Sequence, residues 1–269
     1  MKELATAMAA KNSDRNFDNI AEKFQQNIYQ TTKGRLRQIV LQRDLAELPE
    51  LALPQIKPLR VIDIGAGQGQ LALWLAQQGH HVHLTDVSAD MLEMAKAASQ
   101  QQGLQGQVQF SHIGLQEIPE SDDGYPLVLC HAVLEWLVDP QAAIAKLWQL
   151  TSAGGVLSLM FYNVDAKRFS NIVYGNFNYV LRDLAYKKKV SLSPQNPLDP
   201  QQVLAWCLAQ GFELQSKTGV RCFHDYLRDR SEQESEFDKL VEVELRFNRT
   251  EPYASLGRYQ HLLLRKPSA

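Results

Sequence analysis

The sequence predicts an α/β protein built on a seven-stranded, mostly parallel sheet, with helices at the N-terminus and an inserted cap. Three observations carry this prediction. From residue 59 onward, short β-branched runs alternate with helical stretches of 8 to 14 residues. The first run, Leu59-Arg60-Val61-Ile62-Asp63-Ile64, ends in a glycine loop that opens a helix. The intervening helices stop at single glycines, Gly79 and Gly103. Strands and helices alternating at this spacing make crossover units, whose sheet is parallel and covered on both faces.

Composition bounds the answer. The chain has 269 residues, 45% hydrophobic and 22% charged, with a net charge of −2. That suits one large folded domain and excludes bulk disorder. It also excludes a protein coated in positive charge, although a local basic patch remains open. Cys130, Cys207 and Cys222 are odd in number and scattered. They form neither a disulfide framework nor a zinc site, and they point to a reducing compartment. No apolar run approaches the ~20 residues of a membrane span. The opening residues lack a secretory signal pattern, so a cytoplasmic location is expected.

The elements follow in order. Phe17, Ile20, Ala21 and Phe24 recur at the spacing of one helix face. Ile28 and Tyr29, then Leu36, Ile39 and Val40, continue apolar faces past an expected break at Thr31-Thr32-Lys33-Gly34. Residues 1–58 therefore read as an N-terminal helical extension, closed by a proline connector at Pro54 and Pro58. Residues 59–269 read as the main domain. Its further strands are expected at His81–Asp86, Val108–Ile113, Leu127–Ala132, Val156–Tyr162 (after a turn at Gly154-Gly155), Phe212–Phe223 and Tyr259–Leu264. Residues 164–199 are rich in Asn, Tyr and Lys and break the rhythm; they are expected to form a cap over the carboxyl ends of the strands. A helix from Pro200 stops at Gly211, and Glu232–Phe247 reads as one charged amphipathic helix.

The loop Asp63-Ile64-Gly65-Ala66-Gly67-Gln68-Gly69 needs its glycines for a mechanical reason. The backbone turns sharply and a ligand must approach it without Cβ atoms in the way. A dinucleotide loop would place a third glycine where Gln70 stands, and a triphosphate loop would carry Lys followed by Ser or Thr. Glycines at alternate positions behind an aspartate suit a phosphate-free ligand such as S-adenosyl-L-methionine. Asp86 lies at the end of the second strand, 21 residues after Gly65, where a carboxylate accepts hydrogen bonds from ribose hydroxyls. The bland reading of Asp86 is a helix cap, a role that Ser88 fills better. Asp63 reads either as a cofactor-loop acid or as a buried carboxylate bonding loop amides.

Particular motifs then stand out: Phe17-x-x-Ile20-Ala21-Glu22-Lys23-Phe24, Asn27-Ile28-Tyr29-x-Thr31-Thr32-Lys33-Gly34-x-Leu36-Arg37, His131-Ala132-Val133-Leu134-Glu135-Trp136, Lys217-Thr218-Gly219-Val220-Arg221, Phe223-His224-Asp225-Tyr226-Leu227 and Glu251-Pro252-Tyr253. In these the chain resembles the bacterial tRNA 5-carboxymethoxyuridine methyltransferases over roughly residues 14 to 267. These are Rossmann-like, class I S-adenosylmethionine-dependent methyltransferases. The resemblance implies methyl transfer to the carboxylate of 5-carboxymethoxyuridine at the tRNA wobble position. It implies that Arg37 meets the methionine carboxylate, Gly65 and Ala66 line the cofactor, and Asp86 holds the ribose. Leu115 and Gln116 would border the adenine, and His131 would reach the cofactor near the reacting centre. Ala66 stands where relatives can carry glycine, and the first dozen residues look like an addition.

From the residues alone, His131 reads equally as a core histidine or a ligand contact. For the tRNA anticodon loop, the basic Lys187, Lys188, Lys189, Arg221 and Arg228 are candidate phosphate contacts, and Tyr174 a candidate stacking ring. The bland readings are a soluble lysine surface and a small aromatic core in the cap. Glu232, Glu234, Glu236 and Asp238 read as a solvated acidic face turned away from RNA. No metal is expected, since His112, His224 and His261 have no ligand spacing. No catalytic residue is assigned: a carboxylate nucleophile is already ionised near neutral pH. The competing readings are a methyltransferase for a small carboxylic acid and a non-catalytic cofactor-binding module.

Overall fold

Residues 31–51, 57–185 and 196–268 are described by the structure, a computed structural model. The strands are β1 (Arg60–Ile64), β2 (His81–Asp86), β3 (Val108–His112), β4 (Tyr125–His131), β5 (Thr151–Tyr162), β6 (Glu213–Val220) and β7 (Tyr259–Arg265). They form one sheet in the order β3-β2-β1-β4-β5-β7-β6. The first five are parallel, and β7 runs antiparallel between β5 and β6. The order reverses between β1 and β4, and ligands of open α/β sheets bind outside the carboxyl ends at such a switch point.

The helices are α1 (Thr32–Ala46), α2 (Gln70–Gln77), α3 (Ala89–Gln101), α4 (Pro140–Leu150), α5 (Val164–Val173), α6 (Phe177–Val180), α7 (Pro200–Gln210), α8 (Glu232–Ser235) and α9 (Phe237–Phe247). Their ends follow local chemistry. Ser88 accepts from the Met91 amide and Asp139 from the Ala142 amide, so α3 and α4 start on capping side chains. Asp199 caps α7, which opens on Pro200 and stops at Gly211, whose φ of +114° favours glycine. Two apolar layers cover the sheet. One packs α1, α2 and α3 against β1 and β2 through Val40, Leu41, Leu45, Leu75 and Leu84. The other packs α4 and α7 against β4 and β5 through Ile144, Leu147, Leu157, Val203 and Cys207. Each such fully buried side chain is worth about 1.5–3 kcal/mol relative to exposure.

Three expectations need correction. The helix expected after Thr31-Thr32-Lys33-Gly34 starts inside that segment: Thr31 is the N-cap and the next three residues form the first turn of α1, while the helix expected before it lies outside the described residues. Gly154-Gly155 is not a turn before β5 but lies within it, because the C-terminal tail carries that stretch. The Gly154 amide donates to the Pro267 carbonyl at 3.3 Å, and the Lys266 amide to the Gly155 carbonyl at 2.9 Å. The stretch Glu232–Phe247 is two helices. Glu236 between them takes φ −116° and ψ +26°, which turns Phe237 and Leu240 into a small cluster with Leu36 of α1. Residues 164–185, the first part of the expected cap, hold α5 and α6; residues 186–195 lie outside the described residues.

Among the described residues no helix is long and apolar enough to cross a membrane. Cys130, Cys207 and Cys222 are free and buried.

Candidate active site

A cavity of about 430 Å³ opens at the carboxyl ends of β1, β2 and β4, within the range usual for small-ligand sites. Nine residues singled out from the sequence line it: Arg37, Asp63, Gly65, Ala66, Gly67, Asp86, Leu115, Gln116 and His131. They come from five separate segments of the chain, so their convergence is a property of the fold.

The glycine loop is held by its own backbone and by Asp86. Gly65, Gly67 and Gly69 have φ of +64°, +57° and +70°, a region that other residues enter at a cost. The Ala66 amide donates to the Thr85 carbonyl at 3.1 Å, tying the loop to β2. The two oxygens of Asp86 accept from the Gly67 and Ser88 amides, each at 2.8 Å. Asp86 thus fastens the loop to the start of α3, while Ser88 supplies the helix cap as expected. Burial pushes the Asp86 carboxyl up from its ordinary range, and these amides oppose the rise.

Asp63 is placed differently from its bland sequence reading. The amides of Ala66, Gly67 and Gly69 are already bonded to Thr85, Asp86 and Ala66 respectively. The Asp63 carboxyl instead sits buried in the cavity wall. Burial, with the nearby Asp86 charge adding to it, pushes its pKa up to about 8.

One cavity residue was missed in the sequence. Glu135 lies in a short 3₁₀ turn, Leu134–Trp136, after β4. It is 1% exposed and lines the cavity, and neither carboxylate oxygen meets a donor at hydrogen-bond geometry among the described residues. Burial raises its pKa to about 7; neighbouring backbone groups and the Arg37 charge pull the other way. Its signal was an acidic residue between the apolar run Ala132-Val133-Leu134 and the apolar pair Trp136-Leu137.

His131 closes the far wall. Its Nε2 lies 2.8 Å from Ser158 Oγ, which lies 2.8 Å from His261 Nε2, and His261 Nδ1 lies 2.7 Å from Asp44 Oδ2. Asp44, on α1, is fully buried and also accepts from Arg43 and Arg249 at 2.6 and 2.7 Å. Burial opposes its ionisation, but the His261 hydrogen bond and the charges of His261, Arg43 and Arg249 hold it well below the usual carboxylate range. Burial, with the charges of His261 and Arg37, depresses His131 well below an ordinary histidine. His131 is therefore a neutral imidazole in the cavity wall. The Ser158 hydroxyl has one proton, so it donates to one imidazole and accepts from the other.

The cavity fits the cofactor expected from the sequence. S-adenosylmethionine carries a sulfonium, an ammonium, a carboxylate, a ribose and an adenine. The cavity offers Asp63 and Glu135 for cationic groups, Arg37 for the carboxylate and Asp86 for the ribose. Met91, Ile113 and Leu115 give an apolar slot for the base. The buried Glu135 carboxylate, whose oxygens meet no donor at hydrogen-bond geometry among the described residues, is the most telling feature, since buried carboxylates are normally satisfied. No group of His, Cys, Asp or Glu among the described residues could hold a metal ion.

Among the described residues, those singled out for tRNA do not line this cavity. Arg221 has φ +63° and grips Asp225 through two hydrogen bonds of 2.9 and 2.5 Å. Tyr174 is exposed, and its hydroxyl donates to the Asp225 carbonyl at 2.9 Å. Arg228 is exposed. Lys187, Lys188 and Lys189 lie outside the described residues.

Comparison with known proteins agrees with this arrangement. The methyltransferase domain family matches residues 62–159, which run from β1 into β5. The tRNA 5-carboxymethoxyuridine methyltransferase of Escherichia coli K12 is 47% identical over 257 residues, covering 95% of this chain and 98% of that protein. In solved structures, an S-adenosylmethionine-dependent methyltransferase from Mesorhizobium loti superposes with a TM-score of 0.56 at 16% identity, covering 87% of this chain and 99% of the other. One from Aquifex aeolicus gives a TM-score of 0.52 at 14% identity, covering 86% and 91%. At such identities these two speak for the fold alone.

Proposed function

The chain belongs to the tRNA 5-carboxymethoxyuridine methyltransferase family, and from that premise we propose that it esterifies the carboxylate of 5-carboxymethoxyuridine at the wobble position of tRNA. S-adenosylmethionine supplies an electrophilic methyl group on a positively charged sulfur. The single observation that carries the reading is near-full-length identity to that relative, joined to a cavity whose polar groups match this cofactor.

In this reading the chain's residues bind and orient. Asp86, already fixed by the Gly67 and Ser88 amides, keeps further lone pairs for the ribose hydroxyls. Arg37 takes the cofactor carboxylate, and Asp63 and Glu135 face its cationic groups. Leu115 and Gln116 border the adenine. Gly65, Ala66 and Gly67 let the ligand reach the backbone. A cation entering the cavity favours the ionised forms of Asp63 and Glu135, so binding expels protons near neutral pH.

The acceptor carboxylate is ionised at neutral pH, with a reference pKa near ~4. It needs no general base. Catalysis then rests on placing one carboxylate oxygen in line with the methyl–sulfur bond and on excluding water. A neutral His131 suits this task, because a charged imidazolium would repel the sulfonium. The finer assignments follow the same logic: the partner surface is the anticodon loop, the site of work is the cytoplasm, and residues 164–199 form the cap through which the RNA reaches the cavity.

The test uses tritiated methyl donor and bulk tRNA from cells lacking the ester. Base-labile label in tRNA is the expected result. Label confined to small molecules, or cofactor binding without turnover, would overturn the reading.

A further inference from the structure

The cofactor cavity accounts for one side of β5 and β7, and a cluster of cations stands on its rim. β5 and β7 pair so that Met160 faces His261 and Tyr162 faces Tyr259. Met160, Tyr259 and His131 all belong to the cavity wall. The rings of Tyr162 and Tyr259 lie 5.7 Å apart. The Arg258 guanidinium sits 4.8 Å above the Tyr162 ring, and that of Arg221 lies 5.9 Å from the Tyr259 ring. Two arginines therefore flank a tyrosine pair at the edge of the cavity.

Their charges are unbalanced. Arg221 is committed to Asp225 in a two-bond ion pair, with side chains 11% and 16% exposed. Arg258 adds to the field that keeps Asp225 ionised, yet among the described residues it is in no ion pair within 4.0 Å. Lys167 on α5 belongs to the same cluster: burial, and then the charge of Arg258, push its ammonium below the ordinary lysine range. Arg221 and Arg258 thus share one carboxylate, and Lys167 adds a third positive charge that Arg258 feels. Both Arg258 and Lys167 are half-buried, so a ligand reaches them and water shields them poorly.

The cluster is built, not incidental. The Arg258 amide donates to the Arg221 carbonyl, and the Asn163 amide to the Arg258 carbonyl at 3.2 Å. The fully buried Asn163 side chain caps α5 at Asp165 and donates to the Ser255 and Gly257 carbonyls. That one residue fixes the Lys167 helix against the Arg258 segment. Arg221 holds a left-handed backbone, a strained state that persists only where surroundings impose it. The Glu244 carboxylate imposes it by accepting from the next two amides, Cys222 and Phe223.

We propose that Arg258 and Lys167 are the cations that bind the acceptor carboxylate, holding it on the Tyr162–Tyr259 rim beside the reacting methyl group. The proposal rests on the function argued above. An arginine fork recognises a carboxylate by geometry as well as charge. One oxygen stays on the cations. The lone pair of the other forms the new oxygen–methyl bond as the sulfur–methyl bond breaks and its electron pair returns to sulfur. No proton moves. The product ester is neutral, so the reaction erases the charge by which the substrate was held. Product release by charge loss follows from this arrangement.

The experiment compares two synthetic anticodon stem-loops, one carrying 5-carboxymethoxyuridine and one its methyl ester, against the full chain. Binding to each is measured for the wild type, Arg258→Gln, Arg258→Lys and Lys167→Met. Cofactor affinity by calorimetry checks that each variant is folded. The wild type is expected to bind the acid at least tenfold more tightly than the ester. Arg258→Gln and Lys167→Met are expected to erase most of that preference and to raise KM 10-fold or more, with cofactor affinity unchanged; Arg258→Lys is expected to recover part of it. If variants lose affinity for acid and ester alike, the cluster contacts backbone phosphate and the proposal falls. If both neutral variants keep the wild-type preference, it falls too. A wild-type chain that leaves the acid-bearing RNA unmethylated overturns the function itself, which separates that failure from these.

Discussion

Replacing Asp86 by Asn tests the centre of the site, because it removes one charge while keeping nearly the same shape. Both oxygens of Asp86 accept a backbone amide at 2.8 Å, from Gly67 and Ser88. Asparagine has one oxygen, so one of the two buried amides must face an NH₂ group. An orphaned buried donor costs about 1–3 kcal/mol. Fold stability should therefore drop by about 2 kcal/mol, read as a lower urea midpoint with an unchanged slope. The ribose would lose a charge-assisted acceptor worth about 1.5–3 kcal/mol, which is about a 10- to 150-fold rise in Kd. Calorimetry with S-adenosylmethionine and with adenine alone separates the two effects, since only the former carries the ribose. An Asp86→Asn protein that folds and binds the cofactor within twofold of wild type would refute the ribose role. It would leave Asp86 as a loop fastener only.

Other outcomes follow from the same geometry. Gly65→Ala places a Cβ 2.5 Å from Val133 Cγ2 in a backbone of φ +64°; the left-handed backbone alone costs about 1–2 kcal/mol, and the displaced Val133 should weaken cofactor binding measured by calorimetry. Asp63, pushed up to about 8, keeps in the folded state a proton that the unfolded chain releases near pH ~4. Its contribution to the stability of the cofactor-free protein is thus present at low pH and lost as pH rises towards 8. Thermal melts should show Asp63→Asn gaining on wild type between pH 5 and 8, and a constant difference would refute the assignment. Cofactor binding at pH 7 should release protons, seen as a binding enthalpy that depends on the buffer; Asp63→Asn and Glu135→Gln should each reduce the release. Ser158→Ala should leave His131 and His261 without their shared hydroxyl, costing about 1–3 kcal/mol, and nitrogen NMR should show the His131 ring losing its single tautomer.

What was legible in the sequence was what depends on neighbours in the chain. The strand ending at Ile64, the left-handed Gly65 and Gly67 after it and the acid at Asp86 are local chemistry, and all reach one cavity. Arg37 and His131 were placed by resemblance rather than by pattern, and they line that cavity too. Misreadings arose where distant segments intervene. Gly154-Gly155 looks like a turn until residues 266 and 267 pair with it. Glu232–Phe247 looks like one helix until Leu36 draws Phe237 inward. Glu135 was hidden because its meaning lies in burial on the cavity wall, which no sequence displays. Asp44 and His261 stand 217 positions apart, and only the folded chain makes them neighbours.

That last pair changes what the N-terminal helix is for. Arg37, Gln38 and Leu41 of α1 line the cavity, and Asp44, two turns further on, anchors a chain of hydrogen bonds ending at His131. A protein shortened past α1 would keep every strand of its sheet and lose the ballast that orients the imidazole. The helix works as a tension rod: one end lines the ligand cavity and the other trims the far wall. Selection on the catalytic wall should then reach residues that no ligand ever touches.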